Sequence, residues 1–408
     1  MLPPLSAVAT SQSTLNNTQI QSSAVTSADT LNVVDLSGST SGTVSSANTS
    51  IGNAVSGAVA NGALDVESTQ SVTAAVGATT TLNVATNAGP QTALTTVAVG
   101  DAAQTGSYEG GPLTGVVNQS IAATGGVSAA TLINPPASQN TGAQAGDVST
   151  SANAIGNSQA IGVSDTSAVM TVNQTNNGAT TAAGDAILNY SPGTTTFSAV
   201  AVANTLSASG TGASSQSLAL NQTANGQTVS EQDANFGSGQ TVSGSATSIA
   251  NNISVNNGDG ALAVTDNQSS TAYAQAQAQV SSYQFGSGQA SATGIDNSVM
   301  ASNAGPSMSL DNTQSNTGTG LTVNAAFTGG AAGGTNYDAG ASSTAMGNAV
   351  TGACTDCSGG LTVNNSQISG TVVGATSEVD ITGANRSVTA SATAVGNTAT
   401  FYVGKASH

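Results

Sequence analysis

Tryptophan is absent from this 408-residue chain, histidine occurs once, and only Arg386 and Lys405 carry a positive charge. Each scarcity removes a class of function. The lone histidine, His408, is the last residue, which leaves no internal imidazole for a Ser-His-Asp or Cys-His constellation or for a zinc site. Two cationic residues stand against 19 anionic ones, for a net charge of −17. Nucleic acid and anionic membrane surfaces are therefore not expected partners, because neutralising phosphate requires basic side chains. No apolar run approaches the roughly 18 residues of a membrane-spanning helix. The opening stretch MLPPLSAVAT lacks a charged start and a long apolar core, so a leader is expected to lie elsewhere or to have been removed.

Cysteine is scarce too, with Cys354 and Cys357 spaced as CxxC in ACTDCSG. A zinc ribbon needs a second pair, and a redox CxxC needs a helix in a βαβ setting. A small disulfide pinning one loop is the expectation, in keeping with an exported protein. Charged residues make up 5% and aromatics 3%, yet proline numbers only 8 while valine and threonine are plentiful. That balance argues against disorder and for a β protein with a core of small side chains.

What the chain has is repetition. A phrase of the form small-x-x-[Ile/Val/Met]-[Gly/Ala/Asp]-Asn recurs with its apolar residue at Ile51, Val99, Ile155, Val202, Ile249, Ile295, Met346 and Val395. Two positions on stand Asn53, Asp101, Asn157, Asn204, Asn251, Asn297, Asn348 and Asn397, at intervals of 46 to 56 residues. In phase with it, apolar runs end at Gln19, Gln70, Gln119, Gln174, Gln222, Gln268, Gln314 and Gln367. From mark to glutamine is always 17 to 19 residues, whereas from glutamine to the next mark is 29 to 38. One arc is fixed and the other takes insertions, as loops on one side of a stacked array do. INPPASQ, residues 133–139, reads as such an exposed insertion.

Inside the repeats the period is 2. In AYAQAQAQV, Ala272, Ala274, Ala276, Ala278 and Val280 face one way and Tyr273, Gln275, Gln277 and Gln279 the other. Val388, Ala390, Ala392 and Ala394 likewise share a face before Val395-Gly396-Asn397, where Gly-Asn reads as a corner between strands. The expected fold is all-β, a β-solenoid or β-helix-like array of about eight repeats of ~49 residues, running without a linker through residues 1–408. Identical positions would stack about 4.8 Å apart, so the recurrent asparagines are turn formers or a ladder of paired amides, and the glutamines a ladder or corner packing.

Catalytic apparatus is not legible. Glu231/Asp233 and Glu378/Asp380 could share strand faces, and paired carboxylates can cleave glycosides or hold calcium. Neither pair has basic or clustered aromatic company. Scattered acids, Asp35, Asp101, Asp296 and Asp311 among them, read as solvated charge, with calcium the one cofactor they leave open. Of the eleven Tyr and Phe residues, four fall in SYQF and TFYV, the latter with Phe401 and Tyr402 as a cap or a docking strand for a partner.

These repeats, the IGN-type phrase and the Gln/Asn-rich strands resemble the holdfast-anchor protein HfaD family of stalked bacteria. The resemblance implies an exported β protein on the outer face of the outer membrane, holding adhesive polysaccharide alongside HfaA-like and HfaB-like partners. It transfers no site residues. Trimeric autotransporter heads repeat a similar phrase at a much shorter interval, and curli subunits have repeats about half as long. An ice-binding array would need Thr-x-Thr in every turn, and a polysaccharide-cleaving β-helix would need a clustered acid site. The expected function is therefore non-enzymatic adhesion, with self-association through open strands a further expectation.

Overall fold

Strand formation follows from the alternation. Segments in which every second residue is Val, Leu, Ile or Ala, and the others Thr, Ser, Asn or Gln, bury one face and wet the other. The computed structural model describes residues 12–38, 42–135, 142–332, 334 and 336–404; among them there are 21 strands and no helix. MLPPLSAVAT, the loop residues Pro136–Gln139, Lys405 and His408 lie outside the described residues.

Eight strands form one sheet: β1 (Gln12–Gln21), β4 (Ala63–Val72), β7 (Leu113–Ile121), β10 (Ser167–Asn176), β12 (Ser215–Ala224), β14 (Leu262–Ser270), β16 (Met308–Asn316) and β19 (Leu361–Ser369). A second sheet of 13 strands carries two tracks. One track runs β2 (Val25–Asp35), β5 (Ala75–Asn87), β8 (Gly126–Ile133), β11 (Ala179–Thr211), β13 (Thr228–Asn257), β15 (Tyr273–Asn303), β17 (Gly320–Gly329) and β20 (Val373–Ile381). The other runs β3 (Thr43–Ala60), β6 (Gln91–Tyr108) and β9 (Asp147–Ser164), passes through the second halves of β11, β13 and β15, and ends in β18 (Asp338–Cys354) and β21 (Ser387–Val403). Every pairing between these strands is parallel, each strand against its counterpart one repeat away.

Two expectations need correction. The Gly-Asn of each mark is not a corner: β3, β6, β9, β11, β13, β15, β18 and β21 run straight through it. Instead, alternation slips there, so that two successive residues, such as Gly156 and Asn157, both face inward. Neither adopts a left-handed conformation. The left-handed corner lies eight residues later, at Asn61, Glu109 and Asp165 (φ 58°, 53° and 52°) and at Gly212 (φ 64°). The interior is also not uniformly small. Leu82, Leu94, Ile133, Leu188 and Phe327 are fully buried, Phe197 packs on Phe236 (centroids 5.7 Å apart) and Phe285 meets Phe327 edge-on at 4.9 Å. Alanines are buried beside the marks, where Ala152, Ala154, Ala199, Ala201, Ala203 and Ala250 leave room for the slipped backbone, and also along the first half of β15 at Ala274, Ala276 and Ala278. Burying each large aliphatic contributes about 1.5–3 kcal/mol before entropy is counted. No residue of β19, β20 or β21 is buried.

Candidate functional site

The chemistry of this interior is amide chemistry. All eight glutamines are partners of one another in the strand register of the eight-stranded sheet. Gln70 Nε2 donates to Gln19 Oε1 at 2.9 Å, and the same bond recurs through Gln119, Gln174, Gln222, Gln268, Gln314 and Gln367 at 2.7–3.0 Å. Each Nε2 also donates across the interior to the carbonyl following a mark: Ala54, Ala102, Ser158, Thr205, Asn252, Ser298, Ala349 and Thr398 in turn.

The asparagines answer in the opposite sense. Asn157 Nδ2 donates to Asn204 Oδ1 at 2.8 Å, and so on through Asn251, Asn297, Asn348 and Asn397. Their second N–H reaches the carbonyl following each glutamine, at Thr175, Thr223, Ser269, Ser315 and Ile368. Glutamine donors point toward the preceding repeat and asparagine donors toward the next. The two sheets are thus cross-braced at each level. Such bonds are each worth about 0.5–1.5 kcal/mol net, and leaving one unmade in the interior costs more. Asn53 donates to Asp101 Oδ1 at 2.8 Å, and at Asp101 the asparagine column is interrupted.

A glycine occupies the position before the asparagine or aspartate in five of the eight marks because neighbouring backbone is so close. A Cβ on Gly156 would sit 2.4 Å from the Ala203 carbonyl oxygen. The apolar mark residues themselves face outward and stack in one register column, Ile51 being 43% exposed. The fixed spacing located this column; its outward direction follows only from the slip.

Two acids read as solvated charge are in fact buried. Asp101 and Asp296 are buried, and so is Asp266, which the sequence did not single out. Burial is the main cause that pushes Asp101 and Asp296 up to about 7 and Asp266 well above the carboxylate range. Glu231, Asp233, Glu378 and Asp380 do point to solvent. Asp185 and Asp233 stack on the outer face, each raised mainly by partial burial, and Asp185 also by Asp233. Asp35 is exposed and held low by Ser37, while Asp311 Oδ1 accepts from Asn364 at 2.6 Å.

Outside the eight-stranded sheet runs an open groove of about 800 Å³, edged by Asn221, Thr265, Asn267, Thr313, Asn364 and Ser366. Further along the same face, Asn221 donates to Asn173 and Asn173 to Asn118, an outer ladder at 2.8–2.9 Å. These are donors and acceptors in register with strand spacing; Asp311 stands among them, and Asp266 also borders the groove with its side chain buried. Cys354 and Cys357 are joined in a disulfide, Cα atoms 5.6 Å apart, at the turn leaving β18. Phe401 and Tyr402 lie on β21, 40% and 59% exposed, opposite Gly352 and Ala353. The insertion at 133–139 starts later than expected: Ile133 and Asn134 are buried, and Asn134 Oδ1 accepts from the Val84 amide.

The whole is a parallel all-β protein with amide ladders inside and a polar, hydrogen-bonding outside. The family model of HfaD, holdfast attachment protein D, matches residues 38–320, more than half of the chain, and the protein belongs to that family. Membership makes it a holdfast attachment protein of the cell surface. No curated protein and no solved structure matches the chain.

Proposed function

We propose that the protein is a non-enzymatic anchor, in which the eight repeats are successive coils of one β-solenoid that joins adhesive polysaccharide to the outer face of the outer membrane. The observation that carries this reading is the glutamine ladder, unbroken from Gln19 to Gln367. A ladder that never lapses ties all repeats into one extended body, whose outer face repeats Asn, Thr and Ser at every coil. Sugar hydroxyls meet such a face many times weakly, and retention comes from avidity. The groove edged by Asn221, Asn267, Thr313 and Asn364 is the proposed contact. HfaA-like and HfaB-like surface proteins are the proposed neighbours, with the strand of Phe401 and Tyr402 adding to a partner's sheet. No cofactor enters the proposal.

A deletion strain tests it. Loss of surface-retained adhesin, restored by the full chain, is the expected result; undiminished retention without the protein would overturn the anchor reading. Complementation with a chain lacking Phe401–His408 separates the docking strand, since normal retention there removes only that role.

A further inference from the structure

Each interior ladder has a rule: in the asparagine column, every Nδ2 hands its hydrogen to the Oδ1 of the next repeat. At Asn157 the rule leaves a gap. Its Oδ1 is buried and has no hydrogen-bond partner. The residue that should donate to it, one strand away in register, is Asp101. A carboxylate has no hydrogen to give. The same arrangement occurs a second time, independently, in the column two residues before the glutamines. There Asp266 is register partner to Asn312, whose Nδ2 donates to Asn365 Oδ1 at 2.7 Å and whose own buried Oδ1 has no partner. Both oxygens of Asp266 are buried without a hydrogen-bond partner, and its register partner on the other side is the apolar Leu220.

We propose that Asp101 and Asp266 are proton-binding sites, each a neutral carboxyl whose O–H donates to the asparagine stacked on it, Asn157 and Asn312 respectively. One proton then does what the missing amide hydrogen would do. Asp101 keeps its acceptor duties, taking hydrogen bonds from Asn53 Nδ2 and from the Ser120 amide at 3.1 Å. Asp296 is a contrast: its oxygens accept from Ser270 Oγ and Asn316 Nδ2, and its register neighbours are Ala250 and Gly347, which offer no side-chain acceptor.

No counter-charge competes with the proton. Around Asp101, β3, β5, β7 and β8 contain no titratable side chain; Asp147 of β9 is at the exposed start of its strand, and Asp65 and Glu67 of β4 face outward. Around Asp266, β12 contains none, Asp311 of β16 faces outward, and Glu231 and Asp233 of β13 are exposed. On β15, Tyr273 is half-buried and Tyr283 exposed, while Asp296 meets the far end of β14 at Ser270. The shift of both carboxyls has burial as its largest cause, opposed at Asp101 by the hydrogen bonds from Asn53 and Ser120 and at Asp266 only by the nearby Asn267 amide, which does not reach hydrogen-bond geometry. Because the folded state binds the protons more tightly than the unfolded chain, the stabilisation is complete in acid. It is lost as pH rises from the ordinary carboxylate range through about 7 for Asp101.

Infrared spectroscopy of the wild-type protein at about pH 5.5, above the range of exposed carboxylates, is the direct test. A protonated-carboxyl band that weakens in Asp101→Asn and again in Asp266→Asn is the expected result; absence of the band overturns the proposal without needing any variant. Asparagine supplies an N–H where the acid supplied an O–H. The folded-to-unfolded ratio of the wild type should therefore fall at least about tenfold between pH 4 and 8, and that of the double variant less, buried Asp296 supplying the remainder. An undiminished pH dependence in the double variant would overturn the proposal. So would calcium stabilising the wild type at neutral pH and not Asp266→Asn, since the acid would then be an ionised ligand.

Discussion

A ladder amide such as Asn251 has both of its hydrogens and its oxygen committed, which makes single residues testable. Asn251 accepts from Asn204, donates to Asn297 and donates to the Ser269 carbonyl. Asn251→Ala strands three groups and is expected to cost about 1–3 kcal/mol, measured as a shift in denaturant midpoint at constant slope. Asn251→Gly should cost as much, because Asn251 sits in an extended strand; free tolerance of glycine would show that backbone geometry and not the ladder matters. These positions could be read in the sequence because ladder residues recur at a spacing that no turn rule would enforce. Asp266 could not, since burial depends on which face of the strand turns inward, and Thr265-Asp266-Asn267 gives no sign of it.

At the level of elements, strand existence was legible and strand ends were not. Alternation announces a strand wherever it occurs, but β11, β13 and β15 run on for 33, 30 and 31 residues through bends where separate strands were expected. A parallel partner on both sides keeps the backbone paired while it turns, so no turn residue is required. The true left-handed corner was hidden because the residue in it varies, being Asn61, Glu109, Asp165 or Gly212. Glu109 is the least suited to it, since a Cβ in that conformation costs roughly 1–2 kcal/mol. Glu109→Gly is expected to raise stability by about 1 kcal/mol, less what glycine loses in entropy. Thermal unfolding decides it, and an unchanged or lower midpoint would mean that Glu109 makes compensating contacts.

The whole molecule is close to one-dimensional, each repeat touching mainly its neighbours. Register then predicts which lengths the protein tolerates. Residues 252–297 span one full repeat, from the position after Asn251 to Asn297, and Asn252 and Ser298 are strand partners. Excising them joins equivalent positions and should leave a folded protein with the same strand content per residue by circular dichroism. Excising one residue fewer turns every following side chain to the wrong face and should abolish cooperative unfolding. If both deletions behave alike, the ladders do not set the register. The period was the clearest signal in the sequence, because nothing but stacking makes chemically unremarkable residues return at a common distance.

The parallel pairing has a mechanical consequence. Hydrogen bonds between neighbouring repeats point along the stacking direction, so a pull along that axis loads a whole layer of backbone bonds and both side-chain ladders at once. A pull on one strand end concentrates the load on single bonds and strips repeats in sequence. Each repeat of about 49 residues would then pay out roughly 160–175 Å of chain. Stretching a single molecule from an end should give a sawtooth with that step, and a smooth featureless extension would contradict it. A chain loaded in this way yields by lengthening, layer after layer, before it gives way altogether.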